Sequence, residues 1–418
     1  MEHLQAYAPK LASSVKIKFL KEDERGRFYV IAESEKGTYL RVHEAGKHVL
    51  EMLDGHTTLQ QINDDLKKRD IEIDLAEFVK LLGERGFLEN YPKQQTAQKQ
   101  EKLRVYNIPL FRNLGFLSTL SKGASPLFRK TYFAVFVAAN LAVVSVFAAA
   151  VLLGILPIDR LLFLQNSFFL ALLLYVVVII PFLGFSHELA HAVACYHSGG
   201  RPKEIGVSVY LFTFLPYTDT SDALMLDKKK NILIFLAGPL MTLFVGNVCF
   251  MLYFLFPSPV NQLLIMLSFG AYLSVLFGFD PLIESDGYYV LQSLVDFPNL
   301  QSHAWSYATA WIKHKLKRLS DEDYREFVST YSKKERKVLS LYAPITIIVN
   351  GVYVTIAIPL GILALGEYAG LTLHLFSYFP RVEALNIFAW AFESAYLSLG
   401  FVYFILRIFR IIARRAKK

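Results

Sequence analysis

The chain has 418 residues, 54% of them hydrophobic, with 34 Phe and a mean hydropathy of +0.36. That content excludes an ordinary soluble enzyme of this length and points to a mainly α, polytopic membrane protein. The net charge of +8 does not read as nucleic-acid binding, because the basic residues crowd the connectors on one side of the apolar runs.

The opening MEHLQAYAPK has neither a basic n-region nor an apolar h-region, so no signal peptide is expected and the first domain is placed in the cytosol. Residues 1–90 read as a small α+β, winged-helix-like unit. Phe28-Tyr29-Val30-Ile31-Ala32 and Thr38-Tyr39-Leu40-Arg41-Val42 are strand-like, joined by the turn-rich stretch Glu33 to Gly37. Three amphipathic helices follow: His43 to Leu53, stopped by Asp54-Gly55; a second capped by Thr57 or Thr58 and running to about Lys68; and Asp74 to Arg85, ended by Gly86. Val49, Leu50, Leu53, Leu59, Ile62, Leu66, Phe78, Leu81 and Leu82 supply one core. Mixed charge on these helices, with Glu51, Asp54, Asp64, Asp65 and Glu77 among the lysines, weighs against a nucleic-acid partner. Residues 91–130 read as linker and juxtamembrane segment, the polar Tyr91–Lys102 being the linker.

Residues 131–418 carry about six membrane-length segments: Tyr132–Leu156, Leu164–Tyr196, Ile232–Phe256, Leu263–Phe279, Val338–Leu363 and Ile387–Leu406. The second is over-long, so it begins before the bilayer or tilts. Connectors Gly200–Lys230 and Asp280–Lys337 are rich in Lys and Arg, whereas the opposite connectors hold little beyond Arg160 and Arg381. With the basic tail Arg414-Arg415-Ala416-Lys417-Lys418, six crossings with both termini cytosolic satisfy the charge rule. The only two cysteines, Cys195 and Cys249, lie in apolar runs, which excludes a disulfide framework.

His187-Glu188-Leu189-Ala190-His191 closes the second segment. On a helix the two histidines share one face and can grip one Zn²⁺, while Glu188 is placed to take a proton from a water at the metal. A chance HExxH is expected about once in a hundred such chains, and this one follows an uncharged run from Phe168 to Phe185. Ionisable groups at membrane depth are costly and by default functional.

A catalytic zinc site needs a third protein ligand. It is sought in Asp280-Pro281-Leu282-Ile283-Glu284-Ser285-Asp286-Gly287, where Pro281 breaks the helix and Gly287 permits close approach. Asp286 is ranked first, Asp280 second and Glu284 third. Between segments two and three, Ile205 to Phe212 alternates like a strand and leads through Pro216 to Asp219-Thr220-Ser221-Asp222. This is either a hairpin beside the site, offering an edge to an extended substrate, or a plain cytosolic hairpin. Ala237-Gly238-Pro239 marks a close helix contact or a local unwinding. Asn247 is a candidate substrate-binding residue, through a substrate carbonyl or the oxyanion, or else an interhelical hydrogen-bonder. His197 is too far round the helix for the same metal, and Cys195 is read as packing.

With HELAH, AGPL…N and SDGYY in order on successive apolar segments, residues 165–300 resemble the site-2 protease family of intramembrane zinc metalloproteases, in particular its bacterial peptide zinc metalloprotease branch. The resemblance implies one Zn²⁺ per chain on His187, His191 and Asp286, with Glu188 as the catalytic residue. Asp280-Pro281 stands where Asn-Pro is usual, so either aspartate remains a ligand candidate. HEAGKHVLEMLDG, TLQQI and GFLEN make the first domain similar to the PqqD-like peptide-recognition fold, which implies a domain that holds a leader peptide as an added strand. Together these imply a zinc metalloendopeptidase of the bacterial cell membrane. Its substrate would be a membrane-associated or precursor peptide, cut in maturation of a ribosomally made product. Two other readings are a regulatory protease cutting a membrane-bound signalling protein and a non-proteolytic exporter or immunity protein. The sequence does not specify the oligomeric state.

Overall fold

The computed structural model describes residues 7–23, 26–33, 38–89, 91, 106–156, 168–210, 213–297, 299–377 and 384–395. They form two compact units, one of Met1–Lys102 with Ser221–Asp227, the other of Leu103–Thr220 with Lys228–Lys418.

In the first unit β1 (Val15–Asp23), β2 (Gly26–Glu33) and β3 (Thr38–His43) form an antiparallel sheet in that order, with Ile31 opposite both Ile17 and Leu40. The expectation above omits β1, although Val15, Ile17 and Phe19 against Lys16 and Lys18 give a period-two signal. Three helices follow, as expected: α1 (Glu44–Glu51), α2 (Leu59–Lys68) and α3 (Leu75–Glu84). Their starts are set by side chains that satisfy free N–H groups. Thr58, rather than Thr57, caps α2 in a capping box: its Oγ1 accepts from Gln61 N at 3.3 Å and Gln61 Oε1 accepts from Thr58 N at 2.8 Å. Asp74 caps α3, accepting from Glu77 N at 2.9 Å. After α1, Asp54 accepts from the backbone of Thr57 and His56, and these bonds hold its carboxyl below the usual range.

The core gathers Ile31, Val42, Val49, Leu50, Leu53, Leu59, Ile62, Leu66, Leu75, Val79, Leu82, Phe87 and Leu88. One correction concerns α3. It buries Leu75, Val79 and Leu82, while Leu81 is only half-buried and Phe78 packs at the margin. The expected turn over residues 34–37 and the linker over 92–102 lie outside the described residues.

The second unit opens with β4 (Tyr106–Phe111), α4 (Leu117–Ala124) and α5 (Lys130–Leu152). After α6 (Phe168–Leu174), a π-helical turn over Tyr175–Ile179 leads into α7 (Ile180–His197). Pro181 has no N–H for the preceding turn, and the widened turn absorbs that break without ending the helix. Next come β5 (Ile205–Tyr210), β6 (Thr213–Thr218), α8 (Lys228–Tyr253) and α9 (Val260–Gly278). Then follow α10 (Asp286–Val295), α11 (Leu300–Lys315), α12 (Asp321–Ser329) and the long α13 (Lys333–Ser377).

Among the described residues four helices are long and apolar enough to cross a bilayer: Lys130–Leu152, Phe169–His197, Lys228–Tyr253 and Val260–Gly278. About 20 apolar residues span the hydrocarbon core, and on this basis the chain is a membrane protein. The expected fifth segment lies inside α13, some of whose side chains are outside the described residues. The sixth begins in a helical stretch over 384–395 and continues beyond what is described, as does the basic tail.

The spans meet through small and polar residues. A Cβ on Gly246 would lie 2.7 Å from Ala271 Cβ, so α8 and α9 cross closely there. The strand pair β5–β6 is extended by β4 into a sheet of order β4-β5-β6, which leaves β6 at an edge. β4, inside the expected juxtamembrane segment, is a second strand the expectation omits. Gly206 makes its pairing possible, since a Cβ there would meet Ile108 O at 2.3 Å.

Candidate metal centre

The helix α7 carries His187 and His191 one turn apart, and their Nε2 atoms lie 3.0 Å from each other. Asp286 is the first residue of α10, 99 positions later in the chain. Its Oδ2 is 2.9 Å from His187 Nε2 and its Oδ1 is 3.3 Å from His191 Nε2. All three donor atoms fall within 4.8 Å of one another. His191 is buried, and the other two are partly buried.

What aims the imidazoles is the neighbouring helix α8. His191 Nδ1 donates to the backbone oxygen of Ile234 at 2.7 Å, and His187 Nδ1 bonds Thr242 Oγ1 at 3.0 Å. Between these two partners, Gly238 faces the pair. A Cβ on it would come within 2.3 Å of His191 Nε2 and 2.6 Å of His187 Nε2. Ile234, Gly238 and Thr242 are spaced four apart and so form one stripe of α8, laid along the His187–His191 stripe of α7. Of the two expectations for Ala237-Gly238-Pro239, the close contact is what the structure has, since α8 is helical from Lys228 to Tyr253.

The approach of Asp286 depends on the broken stretch before it. Asp280 Oδ1 accepts from Leu282 N at 2.7 Å, and Ser285 Oγ donates to Asp280 O at 2.6 Å, closing a turn. A Cβ on Gly287 would meet Phe279 O at 2.3 Å, so the chain after Asp286 needs glycine. Of the three candidate carboxylates, the structure brings Asp286 to the histidines. Asp280 serves its own turn, and Glu284 is exposed.

The donor set fits a tetrahedral zinc ion. Bonds of 2.0–2.1 Å at tetrahedral angles put neighbouring donor atoms about 3.3 Å apart; the two Nε2 atoms are 3.0 Å apart, and they lie 2.9 Å and 3.3 Å from different oxygens of the Asp286 carboxylate. The Nδ1 partners act at the opposite ring nitrogens, as second partners of zinc-binding histidines do. Three protein ligands leave a fourth position for water or substrate.

Glu188 follows His187 on α7, is partly buried, and interacts electrostatically with His191, His187 and Asp286. Thr218, at the end of β6, donates to Glu188 O at 2.9 Å. A Cβ on Gly184 would touch Pro216 at 2.8 Å, so the hairpin lies against the ligand helix. His197 stacks on Phe128 at 4.0 Å, away from the donor group, and Cys195 is buried outside it.

Asn247 lies away from the donor group. Its Nδ2 donates to Asn140 O at 3.1 Å and Asn140 Oδ1 at 2.7 Å, and its Oδ1 accepts from Tyr272 at 2.8 Å. An amide nitrogen has two hydrogens, so none remains for an oxyanion. Nine residues past Gly238, it is also about 13 Å further along α8. It ties α5, α8 and α9 together, the interhelical alternative held open above.

Sequence reasoning missed Thr242 and the Ile234 carbonyl. The four-residue spacing from Gly238 was the available signal, but in a helix apolar on every side beyond its first turn nothing marks which stripe faces the histidines. Residues 29–88 match the family described as Coenzyme PQQ synthesis protein D (PqqD). Residues 29–88, within the first unit, are therefore PqqD-like and are joined in one chain to membrane-length helices. No curated protein and no solved structure matches the chain.

Proposed function

We propose that this chain is an intramembrane zinc metalloprotease that hydrolyses a peptide bond near the cytosolic membrane face, in maturation of a ribosomally made peptide. The observation that carries the reading is the convergence of His187, His191 and Asp286 within 4.8 Å, with Glu188 adjoining. Zn²⁺, when bound, supplies Lewis acidity that polarises the scissile carbonyl and acidifies water. Glu188 takes the proton of the attacking water as its oxygen adds to the carbonyl carbon. It then returns that proton to the nitrogen as the C–N bond breaks, and the proton left on the added oxygen follows, leaving a carboxylate and an ammonium group. A substrate helix hides its carbonyls in internal hydrogen bonds, so the substrate must arrive extended, and β6, an edge strand among the described residues, offers it backbone partners. Six crossings of a bacterial cell membrane with both termini cytosolic complete the proposed topology.

The PqqD-like match favours maturation over regulated cleavage of a signalling protein. Such a domain would hold the leader while the adjoining segment enters the site. The test is co-expression of wild type and Glu188→Gln with small open reading frames encoded nearby, followed by mass spectrometry of membrane and secreted peptides. The expected outcome is a precursor shortened by wild type alone, with equal zinc in both proteins. Cleavage that persists in Glu188→Gln would sink the mechanism.

A further inference from the structure

We propose that Thr242 is a positioning residue that fixes the tautomer of His187 and thereby sets how tightly the centre holds its metal. The inference rests on the metal-centre reading above. A neutral imidazole carries its proton on either nitrogen, and only the Nδ1–H form leaves Nε2 free to ligate. Thr242 selects that form. Its hydroxyl has one hydrogen, which goes to Gly238 O at 3.1 Å, so a lone pair faces His187 Nδ1 at 3.0 Å. At 1% exposure, Thr242 is shielded from bulk water.

The two histidines are held differently. His191 is anchored by the backbone oxygen of Ile234, which no side-chain exchange removes. His187 is anchored by a side chain, so its aim can be altered without touching a ligand. Loss of such an outer partner typically weakens metal binding 10–100-fold.

A packing role for Thr242 makes the opposite forecast, which allows a clean test. Thr242→Val keeps the shape and loses the oxygen, whereas Thr242→Ser keeps the oxygen and loses the methyl. Full-length proteins in nanodiscs are loaded with Zn²⁺, challenged with graded chelator, and assayed for retained metal. The expected order is wild type close to Thr242→Ser, with Thr242→Val weaker by about 10–100-fold. Thr242→Ala should fall with Val, which covers the case of a Val variant that fails to insert. Visible spectra of Co²⁺-loaded protein should shift in Val and not in Ser. Retention in Val with loss in Ser would overturn the proposal while leaving the metal centre intact. A wild type that takes up no metal would overturn both, so the two failures are distinguishable.

Discussion

The PqqD-like domain and the α7–α8 crossing are built by different rules. In the domain, water lies on one side of every helix. Each helix therefore buries one apolar stripe, such as Leu59, Ile62 and Leu66 of α2, and the hydrophobic effect supplies the stability. In the crossing, lipid is as apolar as any side chain, so burial of Leu or Phe decides little. Fit is set instead by a missing Cβ at Gly238, a hydroxyl at Thr242 and a backbone oxygen at Ile234. A methyl group removed should matter most in the first region, and a methyl group added in the second.

The largest effect expected from that contrast is at Gly238. In Gly238→Ala the new carbon would sit 2.3 Å from His191 Nε2, inside the space a ligated ion needs. Either α8 moves away or the imidazoles turn. The ligand set is unchanged, yet zinc content should fall from about one per chain to near none, measured by elemental analysis of the purified protein. Gly246→Ala is the matched comparison, since it adds the same methyl at the α8–α9 contact, 2.7 Å from Ala271 Cβ. It should lower thermal stability while zinc is retained. Full zinc in Gly238→Ala would break the comparison.

On the other side, Ile62 is fully buried in the domain core. Ile62→Ala should destabilise that domain by about 2–5 kcal/mol. Hydrogen exchange of the full-length protein should show faster exchange in α1–α3 with no change in α7 or α8. Zinc content should stay at the wild-type level. Loss of metal in this variant would mean that the domain's fold controls the centre, which the two separate cores do not require.

The same contrast explains what could be read from sequence. Three helices of the domain were legible because their caps, Thr58 and Asp74, and their period-3.6 stripes are local signals. The metal-centre candidates His187, Glu188 and His191 were legible because four-residue spacing needs only one helix. Asp286 was legible by composition, as one of three carboxylates in a broken stretch. The sequence ranked it ahead of Asp280 while leaving Asp280 open; the turn in which Asp280 Oδ1 accepts from Leu282 N separates the two. Thr242 and Ile234 O were not legible. Their role arises from two helices meeting, and an apolar helix shows no stripe from which to infer its partner. β4 was hidden for a related reason, because it pairs with a strand about 100 residues away.

Asn247 gives the finest test, because its amide could serve packing or chemistry. Its bonds to Asn140 and Tyr272 assign it to packing among α5, α8 and α9. Hydrogen bonds between membrane helices average about 0.6 kcal/mol and reach about 1.7, so Asn247→Leu should cost only that much. Unfolding of the full-length protein in mixed micelles measures it, and Asn140→Leu should cost a similar amount. The double variant should cost less than the sum of the two, because both remove the same bond. Peptide cleavage per bound zinc should be unchanged, as the site lies about 13 Å back along α8. A tenfold or greater loss of turnover in Asn247→Leu, with stability and zinc intact, would return that residue to the substrate. The interhelical network would then be a resting arrangement that the substrate displaces.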